Sequence, residues 1–181
     1  EGTPQRNHLQ LAGFDESNIV APPSFEWARF SDVLIVSSMN NFAPPIRSIF
    51  MRPEVKKAFA SLAEGVRRPG FGKRIYVART DTQNRLMENE KEIAEYLCRQ
   101  HDFVWTECAK LNAEQQVAVF RDAEIVVGPI GNAFMNLAFS NPDAKVIILA
   151  PKETTHFLPY YQGIATAFGN KVVVLAGETT K

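Results

Sequence analysis

Three short stretches carry residue types from which a binding or catalytic site can be built. The first is Arg79-Thr80-Asp81-Thr82, with Arg85 shortly after it. Two guanidiniums in one loop suit a diphosphate, because each makes bidentate, charge-assisted hydrogen bonds to paired oxygens. The same arginines can instead close onto Asp81, Glu88 or Glu90 as surface ion pairs, so their chemistry depends on where the loop lies. The second stretch is Gly128-Pro129-Ile130-Gly131, running into Asn132-Ala133-Phe134-Met135-Asn136. Glycines there permit a tight turn and close backbone approach, and the amides of a first helical turn favour an anion such as phosphate. Glycine also serves a tight turn for conformation alone. The third stretch, Thr154-Thr155-His156, holds a single histidine with no nucleophile elbow and no second histidine at metal-ligand spacing, so it reads as an ordinary loop. His8 and His101 are remote from all three stretches and receive no role.

These residues form a site only if the chain delivers them to one end of a sheet. The runs Val33 to Val36, Ile75 to Ala78, Ile125 to Val127, Val146 to Leu149 and Val172 to Leu175 are continuously apolar and mostly β-branched, which predicts strands covered on both faces. Phe103 to Trp105 is a shorter candidate strand. Helical spacing fills the gaps. Pro53 to Leu62 begins with a proline and places Val55, Ala58, Phe59 and Leu62 on one face. Leu86, Ile93, Tyr96 and Leu97 do the same for a helix ending near Gln100. Asn112 with Gln115 three residues on is a capping-box pattern, followed by inward Val117 and Phe120. Ala133 to Phe139 and His156 to Phe168 complete the helices, the last stopping near Gly169.

From residue 72 onward strand and helix alternate, the pattern of an α/β fold with a Rossmann-like, doubly wound, mostly parallel sheet and helices on both faces. In such sheets ligands bind beyond the carboxyl ends of the strands. Loops 79–85, 128–132 and 151–156 all come directly after strands. Residues 1–31 fit less well and read as a lead-in segment, a remnant of or linker to a missing N-terminal domain, ahead of a Rossmann-like domain at 32–181. Within the lead-in, Arg6 to Ala12 is a candidate short helix stopped by Gly13, and Asn18 to Ala21 a short strand before Pro22-Pro23. Pro44-Pro45 marks a loop. The chain opens on Glu1 rather than Met, as a piece of something longer would.

Composition narrows the partners. Of 181 residues, 45% are hydrophobic and 22% charged, which is globular, and 20 basic residues against 20 acidic leave no net charge to hold nucleic acid. Neutrality hides a local imbalance: Arg67, Arg68, Lys73, Arg74, Arg79 and Arg85 stand against the single acid Asp81 between Val66 and Met87. The four before Ile75 belong at the amino end of its strand, away from ligands. Two cysteines, Cys98 and Cys108, make neither a disulfide framework nor a zinc site, as in a reducing compartment. The two Trp and thirteen Phe are scattered through apolar runs and read as core rather than as a base-stacking platform. No apolar run is long enough to span a bilayer, so a cytoplasmic protein, or one at the inner face of the membrane, is expected.

Taken in order, three stretches resemble one family. Lys73-Arg74-Ile75-Tyr76-Val77-Ala78-Arg79 followed by Arg85-Leu86-Met87-Glu88-Asn89-Glu90 is similar to the strand, arginine and Arg-x-x-x-Asn-Glu pattern of glycosyltransferase family 61. Leu111-Asn112-Ala113-Glu114-Gln115 with Phe120, Ala123 and Glu124 resembles that family's intervening helix. Val126-Val127-Gly128-Pro129-Ile130-Gly131-Asn132-Ala133 with Asn136, Leu137 and Phe139, then Lys145-Val146-Ile147, resembles its glycine loop and the helix and strand after that loop. The resemblance spans roughly residues 8 to 170. It implies the C-terminal, donor-binding half of a GT-B type enzyme. Such an enzyme transfers a sugar from a nucleotide-sugar to a saccharide acceptor with inversion, requires no metal cofactor, and in bacteria serves capsular or surface polysaccharide biosynthesis. It also implies a partner, either an N-terminal GT-B domain or a second copy. Position by position, Arg79, Arg85, Asn89 and Glu90 match the first motif, and Gly128, Gly131, Ala133 and Asn136 the second. Three positions depart: many members carry His where this chain has Ile130, Ala where it has Asn132, and Glu where it has Ile148.

On that resemblance, the turn Gly128, Pro129, Ile130, Gly131, Asn132, Ala133 with Asn136 holds the donor diphosphate, and Arg79 with Arg85 neutralises charge on the leaving nucleotide. Asp81 is the nearest acid for a general base, and Glu90 is assigned to Arg85 or the ribose. The alternative is a catalytically inactive nucleotide-binding or assembly module that keeps the fold, motivated by Ile130 and Ile148. A flavodoxin-like or dinucleotide-binding protein is disfavoured, because G-x-G-x-x-G comes after neither the Val33 nor the Ile75 run.

Overall fold

The computed structural model describes residues 9–18, 40–41, 50–51, 53–80, 87–153 and 158–178. The Val33 run, both proline pairs, Asp81, Arg85 and the Thr154-Thr155-His156 stretch lie outside the described residues, as does the 31/32 boundary. A two-residue antiparallel ladder joins β1 (Asn40–Asn41) to β2 (Phe50–Met51). The main sheet comprises β3 (Arg74–Val77), β4 (Val104–Thr106), β5 (Ile125–Pro129), β6 (Lys145–Pro151) and β7 (Lys171–Gly177). All four pairings are parallel, in the order β4-β3-β5-β6-β7. The helices are α1 (Pro53–Gly65), α2 (Glu90–His101), α3 (Ala113–Asp122) and α4 (Leu158–Ala167).

Side chains alternate across the sheet and find different cover on its two faces. Ile75, Val77, Val126, Val146, Ile148 and Ala150 pack with Val119 and Phe120 of α3, Phe134 and Leu137, and Tyr161 and Ile164 of α4. The other face carries Tyr76, Ala78 and Val127 against Ala94, Ile93 and Leu97 of α2. That second cover stops short. Ile147 and Leu149 are half-buried, and Val173 and Leu175 on the edge strand β7 are 55% and 54% exposed. The expectation that Val172 to Leu175 is covered on both faces is therefore corrected: among the described residues only one side of β7 meets a helix.

Local signals explain most boundaries. Asn112 accepts from the Gln115 N–H at 2.9 Å while Gln115 accepts from the Asn112 N–H at 2.9 Å, the reciprocal capping box that starts α3. Gly13 and Gly169 adopt positive φ, 87° and 93°, where the first described helical turn and α4 stop. Four expectations fail. Asn18 ends a 3-10 turn, Glu16–Asn18, rather than starting a strand, while the rest of that expected strand, residues 19–21, lies outside the described residues. Ala58 and Tyr96 face out of α1 and α2, whereas Ala63 and Ala94 of the same helices are buried. The segment after β5 is a 3-10 helix, Asn132–Phe139, not an α-helix. Its i, i+3 spacing aligns Phe134 with Leu137 and Asn136 with Phe139, all four buried, with α1, α3 and α4 around them.

Candidate functional site

The sheet order places a topological switch point between β3 and β5. From β3 the chain passes through α2 to β4 on one side; from β4 it returns through α3 to β5 on the other. The outgoing connections of β3 and β5 therefore lead to opposite faces, opening a crevice at their carboxyl ends. A cavity of about 310 Å³ lies there, lined by Val77, Ala78, Arg79, Thr80, Glu107, Cys108, Ala109, Pro129, Gly131, Asn132 and Ala133. That is the low end of the size of small-molecule sites. Two larger hollows, about 450 and 650 Å³, run along α2. Position at the switch point, not volume, marks the site: residues at the ends of β3, β4 and β5 all line this cavity.

Backbone bonds hold the crevice walls. The Ala78 N–H donates to Thr106 O at 2.9 Å, and the Ile130 N–H to Leu149 O at 2.8 Å, extending the sheet past its strands. Gly128 is needed where β5 passes β3: a Cβ there would sit 2.4 Å from Val77 O. Gly131 is needed for a different neighbour, since a Cβ there would meet Arg79 Nη1 at 3.0 Å. The Arg79 guanidinium lies against Gly131 and donates from Nη1 to the Ile130 carbonyl. Its charge is thus fixed at the cavity wall. The 3-10 winding closes the Phe134 N–H onto Gly131 O at 3.1 Å, so the amides at the start without an intrahelical partner are those of Asn132 and Ala133. No side chain caps this start.

The remaining sequence candidates fall elsewhere. Ile130 is buried at 1% exposure within the apolar core, and it reaches the site through its carbonyl rather than its side chain. Asn136 is buried and donates to Gln116 Oε1 at 3.1 Å; Gln116 Nε2 in turn donates to the Cys108 and Leu111 carbonyls, both at 3.0 Å. That chain ties the 3-10 helix to the cavity wall at Cys108. Glu90 Oε1 accepts the Arg79 N–H at 2.9 Å, so this carboxylate anchors the end of β3. Asn89 precedes α2 and makes no side-chain cap.

Glu107 was missed. It lies just past β4, whose carboxyl end the three candidate loops leave out, although the Phe103 to Trp105 run points to it. Glu107 accepts from Thr80 Oγ1 at 2.7 Å, Lys110 Nζ at 2.7 Å and Trp105 Nε1 at 3.1 Å. Those donors, Lys110 foremost, hold its carboxyl down at about 2. Trp105 is not core: it is 36% exposed and stacks on buried Tyr76 at 5.8 Å. Burial, and secondarily Glu90, keeps the Tyr76 phenol above its ordinary range and protonated.

Arg67, Arg68, Lys73 and Arg74 are exposed and none lines the cavity. Among the described residues no cluster of His, Cys, Asp and Glu could hold a metal ion, and no helix is long and apolar enough to cross a membrane. No curated protein matches the chain. A family model described as Glycosyltransferase 61 matches residues 6–147, a span that holds β3, β4, β5 and the whole described cavity. The matched span is well over half of the 181 residues, and the chain belongs to the glycosyltransferase 61 family.

Proposed function

We propose that this chain is the donor-binding unit of an inverting glycosyltransferase that takes its sugar from a nucleotide-sugar. The observation that carries the reading is the meeting of Arg79 with Pro129, Gly131, Asn132 and Ala133 at the switch-point cavity. A diphosphate needs fixed positive charge and backbone donors together, and these residues supply both. In the transfer, an acceptor hydroxyl forms a bond to the anomeric carbon as the bond to the diphosphate breaks. The hydroxyl proton goes to a base, assigned to Asp81, and the charge left on the nucleotide is met by Arg79 and Arg85. No step runs through a metal. The acceptor is a saccharide of a surface or capsular polysaccharide, and the acceptor side is completed by an N-terminal GT-B domain or a second copy, in the cytoplasm or at the inner face of the membrane.

Isothermal titration with UDP, GDP and CMP tests the reading. At least one is expected to bind, with affinity falling at least tenfold in Arg79→Ala. Absence of binding by all three at millimolar concentration, in folded protein, would overturn it. A second reading, a nucleotide-binding or assembly module without turnover, is favoured by one observation. The position after Pro129 carries an apolar side chain sunk in the core, so it offers no proton-transfer group to the cavity. Sugar transfer or donor hydrolysis that disappears in Arg79→Ala decides for the first reading.

A further inference from the structure

A nucleotide at this cavity needs a partner for its ribose as well as its phosphates. Glu90 does not supply it, because its carboxylate is turned to the Arg79 backbone and it lines the hollow beside α2 instead. Among the described residues, the acid that lines the switch-point cavity is Glu107, with its side chain only 19% exposed. It lies at the end of β4, the second strand of the main sheet in chain order and the immediate neighbour of β3. In doubly wound folds an acidic residue downstream of the first strand accepts from a ribose hydroxyl while the phosphates sit at a helix start. Here the helix start is Asn132, after β5, on the other side of β3. Two strand spacings, about 10 Å, separate the ends of β4 and β5, a span that a nucleoside diphosphate bridges.

The chemistry of the carboxylate fits the same orientation. A carboxylate accepts along about four lone-pair directions, and Thr80, Lys110 and Trp105 occupy three. One remains for a hydroxyl. Held ionised far below neutral pH, Glu107 is only an acceptor: it attracts hydroxyl donors and repels phosphate, which directs the phosphates toward Arg79.

The geometry points to Glu107 as the residue that grips the ribose hydroxyls of a nucleoside diphosphate whose phosphates lie on Arg79 and the Asn132–Ala133 turn. Glu107 thereby selects ribonucleotides over 2′-deoxyribonucleotides. The assignment rests on the donor-site reading, and the test separates the two. UDP and GDP are titrated beside dUDP and dGDP into the wild type, Glu107→Gln and Lys110→Ala. The wild type is expected to prefer the ribo form of the better ligand by about tenfold, the effect of one hydrogen bond to a charged acceptor. Glu107→Gln should narrow that preference to within about twofold. Lys110→Ala removes the ion pair but keeps the carboxylate, and should retain the preference. Equal affinity for ribo and deoxy forms in the wild type, or an undiminished preference in Glu107→Gln, overturns the assignment while leaving the donor site standing. Failure of both ribonucleotides to bind at millimolar concentration overturns both. If Glu107→Gln does not fold, the wild-type ratio and Lys110→Ala decide: no ribo preference in the wild type, or its loss in Lys110→Ala, rejects the assignment.

Discussion

At the scale of single residues, Gly128 and Gly131 look interchangeable in sequence but have different neighbours. A methyl at Gly128 would run into the Val77 backbone carbonyl at 2.4 Å, and neither strand can retreat without breaking its pairing. A methyl at Gly131 would meet the end of the Arg79 side chain at 3.0 Å, and the Gly131 backbone is extended, so any residue adopts it. Gly128→Ala is therefore expected to cost about 3 kcal/mol and lower Tm by about 6–12 °C. Gly131→Ala should cost less than about 1 kcal/mol yet weaken nucleotide binding about fivefold by displacing Arg79. Thermal melts read beside titrations check the pair: a Gly131→Ala protein that melts like Gly128→Ala would mean that the turn is held by packing and not by the arginine. Ile130 and Ile148 are both fully buried in one apolar cluster, where an isolated imidazole or carboxylate is costly and an isoleucine is not.

At the scale of elements, the connection from α1 to β3 depends on two adjacent residues at the end of α3. Arg121 Nη1 donates to Ala63 O at 3.1 Å and to the Val66 carbonyl, and Nη2 donates to Arg68 O at 2.9 Å. Asp122 accepts from Arg121 Nε at 2.6 Å and from the Gly70 N–H at 2.7 Å. These bonds take up the Ala63 carbonyl in the last turn of α1 and the Val66 and Arg68 carbonyls after it, so Arg121 pins the turn into β3, the strand that leads to Arg79. Arg121→Ala should cost about 2 kcal/mol, or about 4–8 °C in Tm. The Arg121 hydrogen bond is the main reason that the Asp122 carboxyl sits below its ordinary value. A lowered folded value means that the unfolded chain binds the proton more readily. The stabilisation is therefore full above about pH 4 and lost as pH falls through the folded value. The Tm gap between wild type and Arg121→Ala is accordingly expected to shrink below pH 4; a gap that stays constant from pH 7 to pH 3 would reject the coupling.

At the scale of the whole molecule, zero net charge and a pI near 7.1 leave little electrostatic repulsion between copies at neutral pH. Val173 and Leu175 add exposed apolar surface on the edge strand. Val173→Lys with Leu175→Lys is expected to raise solubility near pH 7 while changing stability by less than about 1 kcal/mol. Light scattering against concentration, with a melt of the same samples, checks this; a large loss of stability would show that the pair is buried in solution.

How much of the fold and site is legible in the sequence depends on the range of each signal. Continuous β-branched runs, the capping box at Asn112 and the glycine stops are local, and the alternation of strand and helix is enough for a doubly wound parallel sheet and for Arg79 and the Gly128 turn at strand ends. The 3-10 winding of Asn132–Phe139 is not legible, because burial against three helices decides it and periodicity over eight residues does not. The outward faces of Ala58 and Tyr96, and the side of β7 that meets no helix among the described residues, are hidden for the same reason: apolar composition says that a residue can be buried, not that a partner exists. Strand order is decided by the tertiary structure alone. By setting β4 beside β3, it brings Glu107 to a cavity whose other wall lies just past β5, through hydrogen bonds between residues far apart in the chain. The sequence by itself determined which residues could do the chemistry, because residue type fixes charge and donor capacity. Only the fold decided which of them meet.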